Sequence, residues 1–269
     1  MQNFWQNGYS IIRNVFDPDE IKRWRTEALQ HENHLGDLLS HPTLWKVLFH
    51  EKLLEYAQQI LGDTPVYFGD SSVRIGSHGR GYHKDNADRD DYNAPDWTND
   101  PYTLIRFGIY LQDHSQHSGG LNIRKGSHMT TSNAKGRTIY ANTSIGDLVV
   151  WNLRTSHSGN GFLLKGLPWL HLPPGIGKYL PHIITRDTGE QRVALFMTLA
   201  VQDAHLDRYL DYAKTRTYMV DIWKQSTWNT QALTYAKTHH PMLKLYHFWD
   251  TIKDEANIGL QQGYAPIAY

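Results

Sequence analysis

Between about Pro65 and Gln202 the chain is a succession of short strand-like runs divided by turn residues, and this texture restricts the fold more than any other feature. The runs cover 66–68, 72–75, 103–111, 121–123, 147–152 and 192–201. Turns such as Ser118-Gly119-Gly120 and Ile145-Gly146-Asp147 separate them. Many short strands joined by turn chemistry predict a sandwich or jelly roll, a mainly β fold with flanking helices.

Helical patterns lie on either side. The Asn7-Gly8 turn leads into Tyr9, Ile11 and Val15, which read as a short strand. Asp17 is placed as an N-cap with Glu20 three residues on, and Ile21, Trp24 and Ala28 then recur at helical spacing. Two further helices are expected over 42–50 and 51–61, the second ended by Gly62. After Gln202, Leu206, Leu210 and Ala213 share one helical face. The expectation is a single domain over residues 1–269 with N-terminal helices at 17–62, a β core at 65–202 and a helical extension at 203–269.

Composition removes several function classes. The charged fraction is 20% and the hydrophobic fraction 40%, which is a globular balance. Lys+Arg and Asp+Glu are both 27, so no net field favours nucleic acid or an anionic membrane, and the expected partner is a small-molecule substrate. The absence of cysteine excludes disulfides, thiolate nucleophiles and Cys-held zinc or iron–sulfur centres. No run of about 18 apolar residues predicts a membrane span. Residues 1–10 lack the basic and apolar regions of a signal peptide, so a soluble cytoplasmic protein is expected. The 9 Trp and 16 Tyr fit core packing or a ring-lined pocket.

Within this frame, His83-Lys84-Asp85, then His157, then Arg192 stand in order. With 16 His and 27 acidic residues, chance alone gives ~1.6 His-x-Asp/Glu matches, so context must discriminate. His83 and Asp85 follow a strand-like run, where alternate residues share a face. The other match, His205-Leu206-Asp207, opens an amphipathic helix, where residues two apart diverge, and it reads as ordinary helix-start polarity. His157 stands just past the strand that includes Trp151. Two His and one Asp leave open positions on a metal, the arrangement of non-haem Fe(II) oxygenases. A later arginine suits the far carboxylate of a dicarboxylate cosubstrate. Arg192 heads an apolar strand, and Arg186, in a loop-like stretch, competes for the role.

Two long polar stretches, 86–101 and 159–190, are of a length that is functional or mobile in compact domains. The first contains Asp88, Asp90, Asp91, Asp96 and Asp100, and the second Pro168, Pro173, Pro174 and Pro181. Arg80, Lys84 and Arg106 lie near the dyad or on the next strand and are candidate substrate contacts, with solvated surface charge as the other reading.

Four stretches together resemble the phytanoyl-CoA dioxygenase (PhyH-like) family of Fe(II)/2-oxoglutarate-dependent oxygenases. They are Gly8 to Phe16 running into Asp19-Glu20-Ile21, then Tyr82-His83-Lys84-Asp85, then Ile109 to Asp113 with Gly119 to His128, and Gly146 to Trp151 leading to His157 with Arg192 beyond. The resemblance covers residues 1–202. It implies a double-stranded β-helix (jelly roll, cupin-like), Fe(II) held by His83, Asp85 and His157, and 2-oxoglutarate paired through Arg192. His128 is treated as structural. It further implies O2-dependent hydroxylation or oxidative demethylation, with 2-oxoglutarate converted to succinate; the zero net charge and the polar loops point to a small polar metabolite as substrate. Related halogenases lack the carboxylate that Asp85 supplies. The spacing from His157 to Arg192 exceeds the family's usual one, so 158–191 is either an inserted lid or a sign that the arginine lies elsewhere. A cupin-like metal-dependent hydrolase or isomerase, and a non-catalytic jelly-roll binding protein, are the alternatives.

Overall fold

The structure is a computed structural model that describes residues 3–76, 81–159, 161–167, 169–172, 174–177, 179–187, 189–256 and 258–261. Its strands are β1 (Tyr9–Ile12), β2 (Val66–Ile75), β3 (Ile105–Tyr110), β4 (Leu121–Lys125), β5 (Arg137–Ala141), β6 (Leu148–Asn152), β7 (His157–Ser158), β8 (Val193–Ala200) and β9 (Lys244–Leu245). Two compact units emerge, each assembled from three separate stretches. One comprises Met1–Leu29, Arg74–Asp85 and Phe107–Leu195, and the other Gln30–Val73, Asn86–Arg106 and Phe196–Tyr269. Among the described residues no helix is long and apolar enough to cross a membrane.

The first unit holds strand segments in the order β1-β6-β3-β8-β2 and a smaller sheet, β5-β4-β7. β1 pairs antiparallel with β6, Tyr9 opposite Trp151 and Ile12 opposite Leu148. Leu148, Val149, Val150 and Trp151 are all buried, as an apolar run covered on both faces requires. The helix Pro18–Gln30 buries Ile21, Trp24 and Ala28. Its start is the expected capping box: the Asp17 amide donates to Glu20 Oε2 at 3.3 Å, and the Asp19 amide to Asp17 Oδ1 at 2.7 Å.

The second unit holds segments in the order β3-β8-β2-β9, with β2 and β9 parallel. Its helices include Glu51–Leu61, ended by Gly62 with φ 73°, and Ala204–Ala213, which buries Leu206, Leu210 and Ala213. The helix expected over 42–50 contracts to Trp45–Leu48.

Runs 66–68 and 72–75 fuse into the single strand β2. Gly69, with φ 83°, suggests a break but acts as a kink inside the strand. Asp70 tolerates its place there because Oδ2 accepts from Arg106 Nη2 at 2.8 Å, Thr198 Oγ1 at 2.7 Å and Tyr209 Oη at 3.0 Å. β5 has no counterpart in the sequence reading; it pairs with β4 from Leu121 opposite Ala141 to Lys125 opposite Arg137.

The polar stretch 86–101 draws its acids inward. Asp96 Oδ2 accepts from Asn86 Nδ2 at 2.9 Å and from the Asp88 amide at 3.0 Å, while Arg208 pairs with Asp88. His205 on the helix Ala204–Ala213 donates to the Asn99 carbonyl at 2.7 Å. The stretch is therefore tied to that helix by buried polar contacts.

Candidate metal centre

The centre lies within the first unit and begins with strand geometry. His83 and His157 form an antiparallel bridge in which each amide donates to the other's carbonyl, at 3.1 and 3.0 Å. Residues paired this way project their side chains to the same face. On its other edge His157 sits opposite Ile123 of β4. Asp85, two residues beyond His83, returns to the same face while its amide donates to the Leu153 carbonyl at 3.0 Å.

Three side chains converge as a result. Their ring centroids place His83 and His157 4.4 Å apart. Asp85 Oδ1 is 3.7 Å from His83 Nε2, and Oδ2 is 3.4 Å from His157 Nε2. One donor atom from each residue lies within 4.8 Å of the other two. Donors bound at adjacent positions about 2.1 Å from an ion stand roughly 3 Å apart, so slight closure gives a three-donor site.

The tautomers fit a metal as well. His83 Nδ1 is 2.8 Å from the Gly81 carbonyl, and His157 Nδ1 is 3.0 Å from the Thr155 carbonyl. A carbonyl only accepts, so both Nδ1 atoms carry a hydrogen, and both Nε2 atoms, on the carboxylate side, are the positions open to a metal. His157 is buried and Trp151 packs on its ring at 5.3 Å between centroids. Two imidazoles and one carboxylate are a donor set that could hold a divalent metal ion.

Lys84 takes the opposite course from its neighbours. Its buried ammonium donates to the Ser127 carbonyl at 2.7 Å and the Arg154 carbonyl at 2.6 Å. Burial, assisted by the Arg154 charge, brings its pKa down to about 7. It is bound to backbone rather than presented to a substrate. The Gly-Ser-His turn it meets is itself anchored: the Ser156 amide donates to Ser127 Oγ at 2.8 Å, and His128 Nε2 donates to the Trp5 carbonyl at 2.7 Å.

Arg192 immediately precedes β8. Its Nε donates to the Gly119 carbonyl at 2.7 Å and Nη1 to the Gly76 carbonyl at 3.4 Å. The guanidinium carbon stands 5.3 Å from the centre of the Tyr110 ring. The side chain is half-buried, and among the described residues no carboxylate pairs with it. Two anchored nitrogens leave other N–H groups for an anion.

Arg186 contributes its backbone: its amide donates to the Leu163 carbonyl at 2.9 Å and its carbonyl accepts from Ser118 at 2.6 Å. These bonds belong to a hairpin-like excursion. Leu164 bridges Thr185, and Lys165 donates to the Ile184 carbonyl at 2.9 Å. Its base is clamped where Gly119 donates to the Gly161 carbonyl and Gly161 to the Gly120 carbonyl, both at 2.8 Å. Among the described residues, the long stretch between His157 and Arg192 thus leaves and returns at one turn.

Arg80 lies outside the described residues. Arg106 belongs to the second unit, where it is committed to Asp70 at 2.8 Å and Thr198 at 3.1 Å. His205 and Asp207 sit in the first turn of the helix Ala204–Ala213, capped by Asp203, as helix-start polarity predicts. Sequence reasoning missed Gln112 and His114, which hold the backbone around Arg192. A polar pair ending an apolar strand was their only signal.

No family model and no curated protein sequence matches the chain. Solved structures do. AviO1 from Streptomyces viridochromogenes aligns over 76% of this chain and 94% of its own, at 18% identity and TM-score 0.52. HygX from Streptomyces hygroscopicus, with nickel and 2-oxoglutarate bound, aligns over 75% and 85%, at 13% identity and TM-score 0.54. SnoN, a non-haem alpha-ketoglutarate-dependent epimerase of nogalamycin biosynthesis, aligns over 74% and 79%, at 15% identity and TM-score 0.51. Likeness at this identity defines the fold: a mainly β, cupin-like jelly roll with flanking helices, shared with non-haem iron, 2-oxoglutarate-dependent enzymes.

Proposed function

We propose that the protein is an Fe(II)- and 2-oxoglutarate-dependent dioxygenase that uses O2 to hydroxylate, or oxidatively demethylate, a small polar metabolite. The observation that carries this reading is the convergence of His83 Nε2, His157 Nε2 and the Asp85 carboxylate, with donor atoms within 4.8 Å of one another. The binding of nickel and 2-oxoglutarate by HygX on the same fold supports it.

In this reading His83, Asp85 and His157 hold the iron. When bound, the iron supplies the redox chemistry that couples conversion of 2-oxoglutarate and O2 to succinate and CO2 with oxidation of a substrate C–H bond. The residues do the rest. The Gly81 and Thr155 carbonyls keep both imidazoles oriented. The Asp85 charge offsets that of the cation and fills a position a halide would otherwise take. Trp151 shields the His157 ring from water. Arg192 receives the distal carboxylate of 2-oxoglutarate, and a half-buried guanidinium that pairs with no carboxylate among the described residues favours that role over Arg186.

The balanced net charge supports a small-molecule substrate over a polyanion. The insertion exposes Trp169 at 70%, Tyr179 at 76% and Ile183 at 78%, which favours a metabolite with an apolar portion beside its polar groups.

Anaerobic titration tests the reading. Fe(II) followed by 2-oxoglutarate is expected to produce a weak visible charge-transfer band that His83→Ala abolishes. A metal-loaded protein that develops no band would remove the oxygenase reading and leave a hydrolase, isomerase or binding protein on the same fold.

A further inference from the structure

The backbone around Arg192 is held by a chain of polar contacts that no metal or substrate reading uses. Gln112 is its centre, buried just beyond β3. Its Oε1 accepts from the Val193 amide at 2.8 Å and from Arg25 Nη1 at 2.9 Å. Arg25 also donates from Nη2 to the Gln191 carbonyl at 2.6 Å. The two residues flanking Arg192 are therefore fixed by side chains from elsewhere in the first unit.

The other arm reaches the guanidinium itself. Gln112 Nε2 bonds to His114 Nε2, and His114 Nδ1 lies 2.9 Å from the Ser118 carbonyl. Nδ1 must donate to that carbonyl, so Nε2 accepts from the Gln112 amide and the ring is neutral. Burial, reinforced by the Arg192 charge, lowers the His114 pKa to about 4 and keeps it so. The next carbonyl, that of Gly119, receives Arg192 Nε at 2.7 Å. Gly119 has φ 103°, and a Cβ there would stand 2.7 Å from His114 Cε1, so the ring and the turn are in direct contact. From the far side, the Gly120 amide donates to Tyr140 Oη at 3.0 Å.

We propose that Gln112 and His114 are positioning residues for Arg192, setting the direction of its guanidinium and thereby the affinity for the distal carboxylate of 2-oxoglutarate. The proposal rests on the reading of Arg192 as the anchor of that carboxylate. Gln112 fixes the backbone on which Arg192 is carried. His114 fixes the carbonyl that holds its Nε. Neither touches the metal ligands in any contact described above.

The test uses the full chain loaded with Fe(II) under anaerobic conditions. Affinities are measured for Fe(II), for 2-oxoglutarate and for pyruvate, which shares the keto-acid end but has no distal carboxylate. Gln112→Ala and His114→Ala are expected to weaken 2-oxoglutarate by ~10- to 100-fold, the range typical of lost outer support. Fe(II) and pyruvate affinities should stay within error. His114→Asn, whose amide nitrogen can take over the donation to Ser118, should recover most of the loss. In an Arg192→Ala background, Gln112→Ala should have no further effect on 2-oxoglutarate. Equal losses for pyruvate and 2-oxoglutarate, or an undiminished effect in the Arg192→Ala background, would overturn the proposal by showing general loosening. Unchanged 2-oxoglutarate affinity in Gln112→Ala would overturn it outright. If Arg192→Ala binds 2-oxoglutarate as tightly as the wild type, the anchor reading itself fails, and a wild type that binds Fe(II) but no 2-oxoglutarate removes the oxygenase reading.

Discussion

His83 and His157 exchange both backbone hydrogen bonds, at 3.1 and 3.0 Å, and their rings meet at 4.4 Å between centroids. The pairing fixes both imidazoles on one face, and Asp85 joins them by strand alternation. Replacing any one of the three leaves two donors. His83→Ala, Asp85→Ala and His157→Ala are each expected to lower Fe(II) affinity by at least ~100-fold. Calorimetry with Fe(II) or Co(II) reads the loss, and wild-type affinity in all three variants would refute the site.

Lys84 gives the opposite pattern. Its ammonium satisfies the Ser127 and Arg154 carbonyls in the interior. Lys84→Met keeps most of the packing and removes a donor from each carbonyl, while the Ser127 carbonyl keeps the Thr130 amide at 3.3 Å; the expected cost is about 1–3 kcal/mol. Urea denaturation of the apo protein measures it. A loss below ~0.5 kcal/mol would mean that water replaces the ammonium.

The second unit contains a pH-dependent contact. His205 Nδ1 stands 3.8 Å from Asp96 Oδ1, and both groups are buried. Burial disfavours the imidazolium, but Asp96, the Asn99 carbonyl and Asp203 outweigh it and raise the His205 pKa. Asp96 is correspondingly lowered against its own burial, chiefly by His205. A raised folded pKa means that the stabilisation is complete below the unfolded value of about 6.5 and is lost as pH rises through the folded value. His205→Gln should therefore lower Tm more at pH 5.5 than at pH 8.5. The same Tm change at both pH values would show that His205 acts through packing alone.

Asp70 accepts from Arg106, Thr198 and Tyr209 in one buried cluster. Asp70→Ala leaves the guanidinium without its carboxylate and is expected to cost about 3–5 kcal/mol of stability. Chemical denaturation checks the magnitude. A variant of wild-type stability would return Arg106 to the candidates for substrate contact.

The parts of this molecule that a local pattern encodes were readable from sequence. The capping box at Asp17, the helical face of Ile21, Trp24 and Ala28, and the helix Glu51–Leu61 ended by Gly62 all follow from spacing within a few residues. The two-residue spacing of His83 and Asp85 was readable, but its setting was not: β2 ends at Ile75, and His83 is held by an isolated bridge to His157. Long-range pairing was not readable either. β7 is only two residues long and has no periodicity of its own; its register comes from β4 on one edge and His83 on the other. Lys84 looked available to a ligand because sequence does not reveal the carbonyls of Ser127 and Arg154 behind it. Gln112 was overlooked for the same reason: its partners Arg25 and Val193 lie 87 and 81 residues away along the chain, and only the His114–Ser118 contact is local.

The excursion between Gly161 and Arg186 is fastened at both ends to the Ser118-Gly119-Gly120 turn. Such a fastening makes the intervening residues an exchangeable cassette. Changes in length in its outer part are expected to leave the two anchor points in place.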